Sequence, residues 1–254
     1  MEASFPKKCL ISCSYKDADA RELLDKKLRN RGVESYQFPP IRVSPNKMAS
    51  TSLIDAVLEH PSLVYVKGEH SNLSFWVAFQ RDYALRAHKE VQSFDPVTLK
   101  IEKSRLSPLQ LPIFPWYLEK DMKKAREIFD HVKNRHIDLT SWATKNGLVE
   151  YTIPESLTEA VSSTGYTLIF LTSNTLKSKQ TKTELEHALR SNPDRVLIAI
   201  VDKINFEDIP GFSDRVHYVQ LYGDNKRSNK QRWDDLIVNV YWLVYSPSYT
   251  LDLQ

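Results

Sequence analysis

Two uninterrupted apolar runs constrain this chain more than any other feature: Thr167-Leu168-Ile169-Phe170-Leu171-Thr172 and Val196-Leu197-Ile198-Ala199-Ile200-Val201. A short run that is apolar at every position, not at every second one, needs cover on both of its faces. Strands of a parallel sheet with helices on either side meet that condition. The surrounding sequence supplies the helices. Residues 121–133 carry Ala125, Ile128 and Phe129 on one helical face, and helical periodicity returns over residues 181–190 and 228–245. Strands are expected over 111–117, 136–142, 166–172, 195–202 and 216–222, and a further helix over 154–161 with proline at its first turn.

The same order of elements stands earlier in the chain, about 104 residues upstream. Residues 8–12 read as a strand and 17–30 as a helix with Ala20, Leu23, Leu24 and Leu28 on one face. Gly32 is suited to a left-handed helix end. Strands over 33–38, 62–67 and 90–94 then alternate with helices over 51–59 and 73–88. Segment 96–108 supplies a last short strand and a linker, and no closing helix is evident. The chain thus divides into units over residues 1–104 and 105–254, each an α/β unit with parallel strands.

Composition excludes several classes. Hydrophobic residues make up 41% and charged residues 26%, as in a globular protein and not a disordered one. A net charge of +3 is a mild basic balance, so nucleic acid is not expected as a partner. The densest basic stretch, Lys226-Arg227-Ser228-Asn229-Lys230-Gln231-Arg232, opens a helix; it reads as a solvated helix start or as a phosphate-contacting patch. Cys9 and Cys13 are too few for a four-ligand zinc site and badly placed on one strand for a disulfide. They read as buried reduced thiols. The seven histidines show no metal-ligand spacing, and no glycine-rich phosphate loop or nucleophile elbow is present. The start of the chain lacks a signal-peptide core, and no segment reaches the ~18 apolar residues of a membrane span. A soluble, cytoplasmic protein is expected, with no membrane partner and no metal.

The openings of the two units carry a family resemblance. Leu10-Ile11-Ser12-Cys13-Ser14-Tyr15-Lys16-Asp17 resembles the strand-loop-helix opening F-I-S-Y-S-x-x-D of Toll/interleukin-1 receptor (TIR) domains. Phe114-Pro115-Trp116-Tyr117-Leu118-Glu119-Lys120-Asp121 keeps the aromatic, the tyrosine and the aspartate. In both, the aspartate is expected to cap the helix that follows. After the third strand, TIR domains resemble S-x-N-Y-L-x-S-x-W-C-x-x-E-L. The second unit has Ser173-Asn174-Thr175-Leu176-Lys177-Ser178-Lys179-Gln180-Thr181-Lys182-Thr183-Glu184-Leu185, and the first has Ser71-Asn72-Leu73-Ser74-Phe75-Trp76-Val77-Ala78-Phe79-Gln80. The resemblance implies two flavodoxin-like units in tandem, with helices on both sheet faces, of the kind found in bacterial defence proteins.

It also implies a chemistry. In TIR domains that consume NAD, the motif's glutamate is catalytic, and cleavage of the nicotinamide–ribose bond passes through an oxocarbenium-like state that a carboxylate stabilises. Glu184 holds this position in the second unit, whereas Gln80 replaces it in the first. An amide cannot supply the charge, so the second unit is the expected active one. The motif's tryptophan is kept as Trp76 in the first unit and replaced by Gln180 in the second. Beside Glu184, the expected NAD-contacting residues are Trp116, Tyr117, Trp142 and Ser178. Trp116 and Tyr117 can stack a nicotinamide or adenine ring or pack against the neighbouring unit. Trp142 flanks the site or fills a core, and Glu184 without the resemblance reads as a solvated helix-start carboxylate. NAD enters as substrate, with no cofactor. The alternatives are a non-catalytic module that assembles with itself or with an effector protein, and a nucleotide sensor.

Overall fold

The computed structural model describes residues 6–38, 50–139, 157, 165–223 and 227–248. The chain divides into two compact units, one drawn from Met1–Ser44, Thr51–Leu109 and Tyr245–Gln254, the other from Pro45–Ser50 and Gln110–Val244.

The first unit contains strands β1 (Lys8–Ser12), β2 (Glu34–Gln37), β3 (Ser62–Val66), β4 (Glu90–Asp95) and β5 (Lys100–Lys103). Their order is β2-β1-β3-β4-β5. The first four are parallel, in the order typical of flavodoxin-like sheets. β5 returns antiparallel to β4 because a tight turn separates them: Asp95 accepts hydrogen bonds from the backbone N–H groups of Val97 and Thr98, and Leu99 is left-handed at φ 55°. So short a connection permits only a hairpin. The helices are α1 (Ala18–Arg29), α2 (Ser50–Glu59), α3 (Glu69–Leu73) and α4 (Phe75–Arg86). Leu24 and Leu28 of α1 pack on Cys9, Ile11, Val64 and Val66, so the alternate positions of β1 and β3 meet that helix. The helix expected over 73–88 is α4, which starts at Phe75; the short α3 precedes it, and Ser74 between the two is extended (ψ 122°).

Among its described residues the second unit holds four parallel strands in the order β6-β7-β8-β9: β6 (Ile113–Trp116), β7 (Tyr166–Leu171), β8 (Val196–Ile200) and β9 (His217–Gln220). Its helices are α5 (Met122–Asn134), α6 (Lys179–Ser191) and α7 (Asn229–Tyr245). The apolar runs are buried over Thr167–Thr172 and Val196–Ile200, as their composition requires, and Val201 beyond β8 is half-buried. Ile169 and Leu171 join Leu185, Ala188 and Leu189 of α6 in one core layer. Phe170 points the other way and meets Phe129 of α5, ring centroids 5.1 Å apart. Helices therefore cover both faces of this sheet.

The strand expected over 136–142 is corrected over its described part. Residues 136–139 are not a strand. His136 is left-handed at φ 65°, its N–H bonds to Lys133 and that of Ile137 to Val132. This pair of bonds ends α5 with a Schellman motif, sealed by the buried side chains of Ile137 and Val132. Gly32 and His88 end α1 and α4 in the same way, at φ 72° and 55°. The helix expected over 154–161 falls outside the described residues except for Leu157, which is helical. In the basic stretch that opens α7, helix-start bonds engage Arg227, Ser228 and Gln231. Ser228 and Gln231 form a reciprocal capping box, and Arg227 pairs with Asp235 at 2.8 Å. Among the described residues no helix is long and apolar enough to cross a membrane.

Candidate functional site at the carboxyl edge of the second sheet

Parallel strands present their carboxyl ends at one edge of the sheet, where doubly wound folds bind ligands. In the second unit that edge is organised by Asp121. This residue sits at the N-cap position of α5, yet its carboxylate makes no bond to that helix. It turns across the edge and accepts the Thr172 hydroxyl at 2.6 Å and the Asn174 side-chain amide at 2.8 Å. Asp121 is only 4% exposed, so these bonds compensate a buried charge. Thr172 and Thr175 exchange further bonds through their hydroxyls and backbone N–H groups, which fixes the turn leaving β7.

The first unit shows the same departure. Asp17 makes no cap bond to α1 and instead accepts both the hydroxyl (2.6 Å) and the N–H (2.7 Å) of Ser71. The Ser71 oxygen accepts the N–H of Ser14 at 2.9 Å. A Cβ on Gly68 would lie 2.2 Å from the Asp17 carboxylate, so only glycine admits it so close to the loop after β3. The helix-capping role expected for both aspartates is thus replaced by a cross-link between the first strand's exit and the third strand's exit. The better donors stand there, and a short carboxylate reaches only one set.

Beyond Thr172 the loop is held by Asp202, which accepts the N–H (3.0 Å) and hydroxyl (3.1 Å) of Ser173 and pairs with Lys124 at 2.7 Å. Burial pushes the Asp202 carboxyl up, but the bonds from Lys124 and Ser173 outweigh it and hold the group below its usual range.

The loop then delivers α6. Ser178 is its N-cap, and its hydroxyl accepts the N–H of Thr181 at 3.3 Å. Glu184 lies in the second turn and is half-buried. One carboxylate oxygen accepts the backbone N–H of Leu157 at 2.8 Å. The other accepts the side-chain amide of Gln180 at 3.0 Å, one turn earlier on the same face. Ser178, Gln180 and Glu184 are therefore gathered at the start of one helix, beside Leu157.

The expected aromatic partners lie elsewhere. Trp116, at the end of β6, is 4% exposed and packs in the core layer with Leu157, Ile169 and Leu185. Tyr117 is 2% exposed on the opposite layer, where its ring meets Phe129 and Phe170 at 5.7 and 6.4 Å. Successive residues of a strand face opposite sides, so the pair cannot line one surface. Trp142 lies outside the described residues. In the first unit, Gln80 and Trp76 are both 6% exposed on α4, a helix buried at nine of its positions. Among the described residues no three His, Cys, Asp or Glu side chains are grouped to hold a metal ion.

Sequence reading did not link Asp121 to Thr172 and Asn174, nor Asp202 to Ser173. The signal was present, since the aspartate of the opening and the serine and asparagine of the later motif were each recognisable. Their contact is a property of the folded edge.

Comparison with known proteins agrees with this geometry over one unit. No curated protein matches the chain. The family model of the TIR domain matches residues 113–237, from the first residue of β6 into α7. That match does not extend to residues 1–104, so a second, tandem TIR domain is not shown. Residues 113–237 of this chain are a TIR domain.

Proposed function

We propose that this TIR domain binds NAD at the start of α6 and cleaves its nicotinamide–ribose bond, with Glu184 as the catalytic carboxylate. The observation that carries the reading is Glu184 itself: a half-buried carboxylate on α6 with two donors engaged, which the sequence resemblance aligns with the family's glutamate. The C1′–N bond breaks with its electron pair leaving on nicotinamide, which departs neutral. Water adds to C1′ and loses a proton, giving ADP-ribose; a ribose hydroxyl or base nitrogen in place of water gives a cyclic product. Glu184 holds the ribose hydroxyls and stabilises the positive charge that develops at C1′. The ribose hydroxyls take the place of the Leu157 and Gln180 donors. A role in a defence or signalling pathway follows from the family alone.

The test is nicotinamide release from NAD by the purified full chain, across a range of protein concentrations, compared with Glu184→Ala. A loss of about 100-fold or more is expected on removing the carboxylate. Release unchanged by the substitution removes the site.

A second reading is favoured by a specific observation. Both Glu184 oxygens are already bonded within the domain, and Trp116 and Tyr117 are buried. On this reading Glu184 braces the segment around Leu157, and the domain is an assembly module for itself or an effector protein. Concentration-dependent growth in mass by light scattering, with no nicotinamide released at any concentration, would select it.

A further inference from the structure

A second feature of the TIR domain stands apart from Glu184. Lys182 and Glu184 are two residues apart on α6, so their side chains diverge by about 200° around the axis. Glu184 faces Leu157, whereas Lys182 lines an open cleft of about 480 Å³ at the carboxyl ends of β7 and β8. Lys177 and Lys203 stand on the same cleft. All three lysines are exposed, and none of their ammonium groups has an ion pair among the described residues. Lys124 nearby, by contrast, is spent on Asp202. The only carboxylate lining the cleft among the described residues is Asp208, which leaves an excess of positive charge.

Three unneutralised ammonium groups around one small concavity repel each other, and a bound anion relieves that repulsion. Lysine acts toward phosphate as a strongly hydrated point charge with three donors. The wall is set in advance, because Asp202 clamps both the N–H and the hydroxyl of Ser173. Leu176 and Ile204 add an apolar surface against which a sugar or base can lie. The volume is that of a small-ligand site and too small to seat a folded partner.

We propose that this cleft binds the phosphates of a small pyrophosphate-bearing ligand, a nucleoside diphosphate in chemical class, at a site separate from Glu184. The inference does not depend on NAD cleavage.

Calorimetric titration of the full chain with ADP and with inorganic pyrophosphate at low salt tests it. One-to-one binding of ADP is expected, weakened more than about tenfold in a Lys182→Ala/Lys203→Ala double variant, since each lost charged hydrogen bond matters at this level. Both lysines are exposed, so the variant keeps its fold, which circular dichroism verifies. Glu184→Gln and the control Lys230→Ala are expected to leave binding unchanged. Pyrophosphate binding without ADP binding would refute the nucleotide class. Absence of binding by either, or binding indifferent to the two lysines, would overturn the site. Loss of binding in Glu184→Gln would place the phosphates on the other face of α6 and also overturn it. Nicotinamide release can fail while ADP binding survives, so the two readings fall separately.

Discussion

Replacing Asp121 by alanine removes the cross-link that joins the exit of β6 to the exit of β7. The lost contacts are bonds to a charged acceptor from the Thr172 hydroxyl and the Asn174 amide, at 2.6 and 2.8 Å. Such bonds contribute about 1.5–3 kcal/mol each. Two corrections reduce the sum. Truncation also relieves the desolvation of a carboxylate that is 4% exposed. The donors are not fully orphaned either, since Thr172 keeps its 3.2 Å contact with Thr175 and Asn174 is only half-buried. The net destabilisation is about 2–3 kcal/mol, or about 4–12 °C in Tm for a unit of this size. Asp121→Asn keeps the shape and one acceptor and is expected to lose about half as much. Because the effect is local to the second unit, hydrogen exchange read on peptides across residues 167–176 is the proper assay, supported by denaturant unfolding. A change below about 0.5 kcal/mol, the usual range of a surface substitution, would refute the claim that this carboxylate holds the edge.

Three further outcomes follow from the described geometry. Burial, with the nearby Asp25 charge, pushes the Cys9 thiol up to about 12, so it should stay unlabelled by a thiol reagent at pH 8 until the protein unfolds; rapid native labelling would contradict this. Burial lowers the pKa of His217 below its ordinary 6.5, only partly offset by Asp194. The unfolded chain then takes up the proton first, so stability should fall as pH drops from 6.5 toward the folded value, and His217→Gln should flatten that slope in urea titrations. His88 ends α4 with a left-handed backbone at φ 55°, where a side chain is disfavoured by about 1 kcal/mol. His88→Gly should raise stability by about 0.5–1 kcal/mol in denaturant unfolding; a loss would show that the imidazole is needed there.

Much of the fold was legible because strands and helices are written locally. The runs at 167–172 and 196–201 could only be doubly covered strands, and Gly32 announced a left-handed helix end. Most of the failures are non-local or depend on a single backbone angle. His136 takes a left-handed conformation that favours glycine, so the turn closing α5 looked like the start of a strand. The short helix Glu69–Leu73 went unread because Glu69-His70-Ser71-Asn72 carries no apolar stripe, and apolar residues gather only over Phe75–Arg86, after Ser74. At the edge, Glu184 and Ser178 were singled out by the family resemblance, and Gln180 only as the replacement of the motif's tryptophan, whereas their shared helix start follows from local spacing. The placement of Trp116 and Tyr117 was not legible, since a strand end gives no sign of whether its aromatics meet solvent or two opposite core layers. Asp17 and Asp121 looked like helix caps because cap positions are local, whereas Ser71 and Thr172 reach them only through the sheet.

The most direct test of the central claim is a crystal structure of the full chain with a non-cleavable NAD analogue. The account predicts the ribose hydroxyls within hydrogen-bond distance of the Glu184 carboxylate, with the bond from the Leu157 N–H given up. An analogue bound elsewhere, with Glu184 still joined to Leu157 and Gln180, would contradict it.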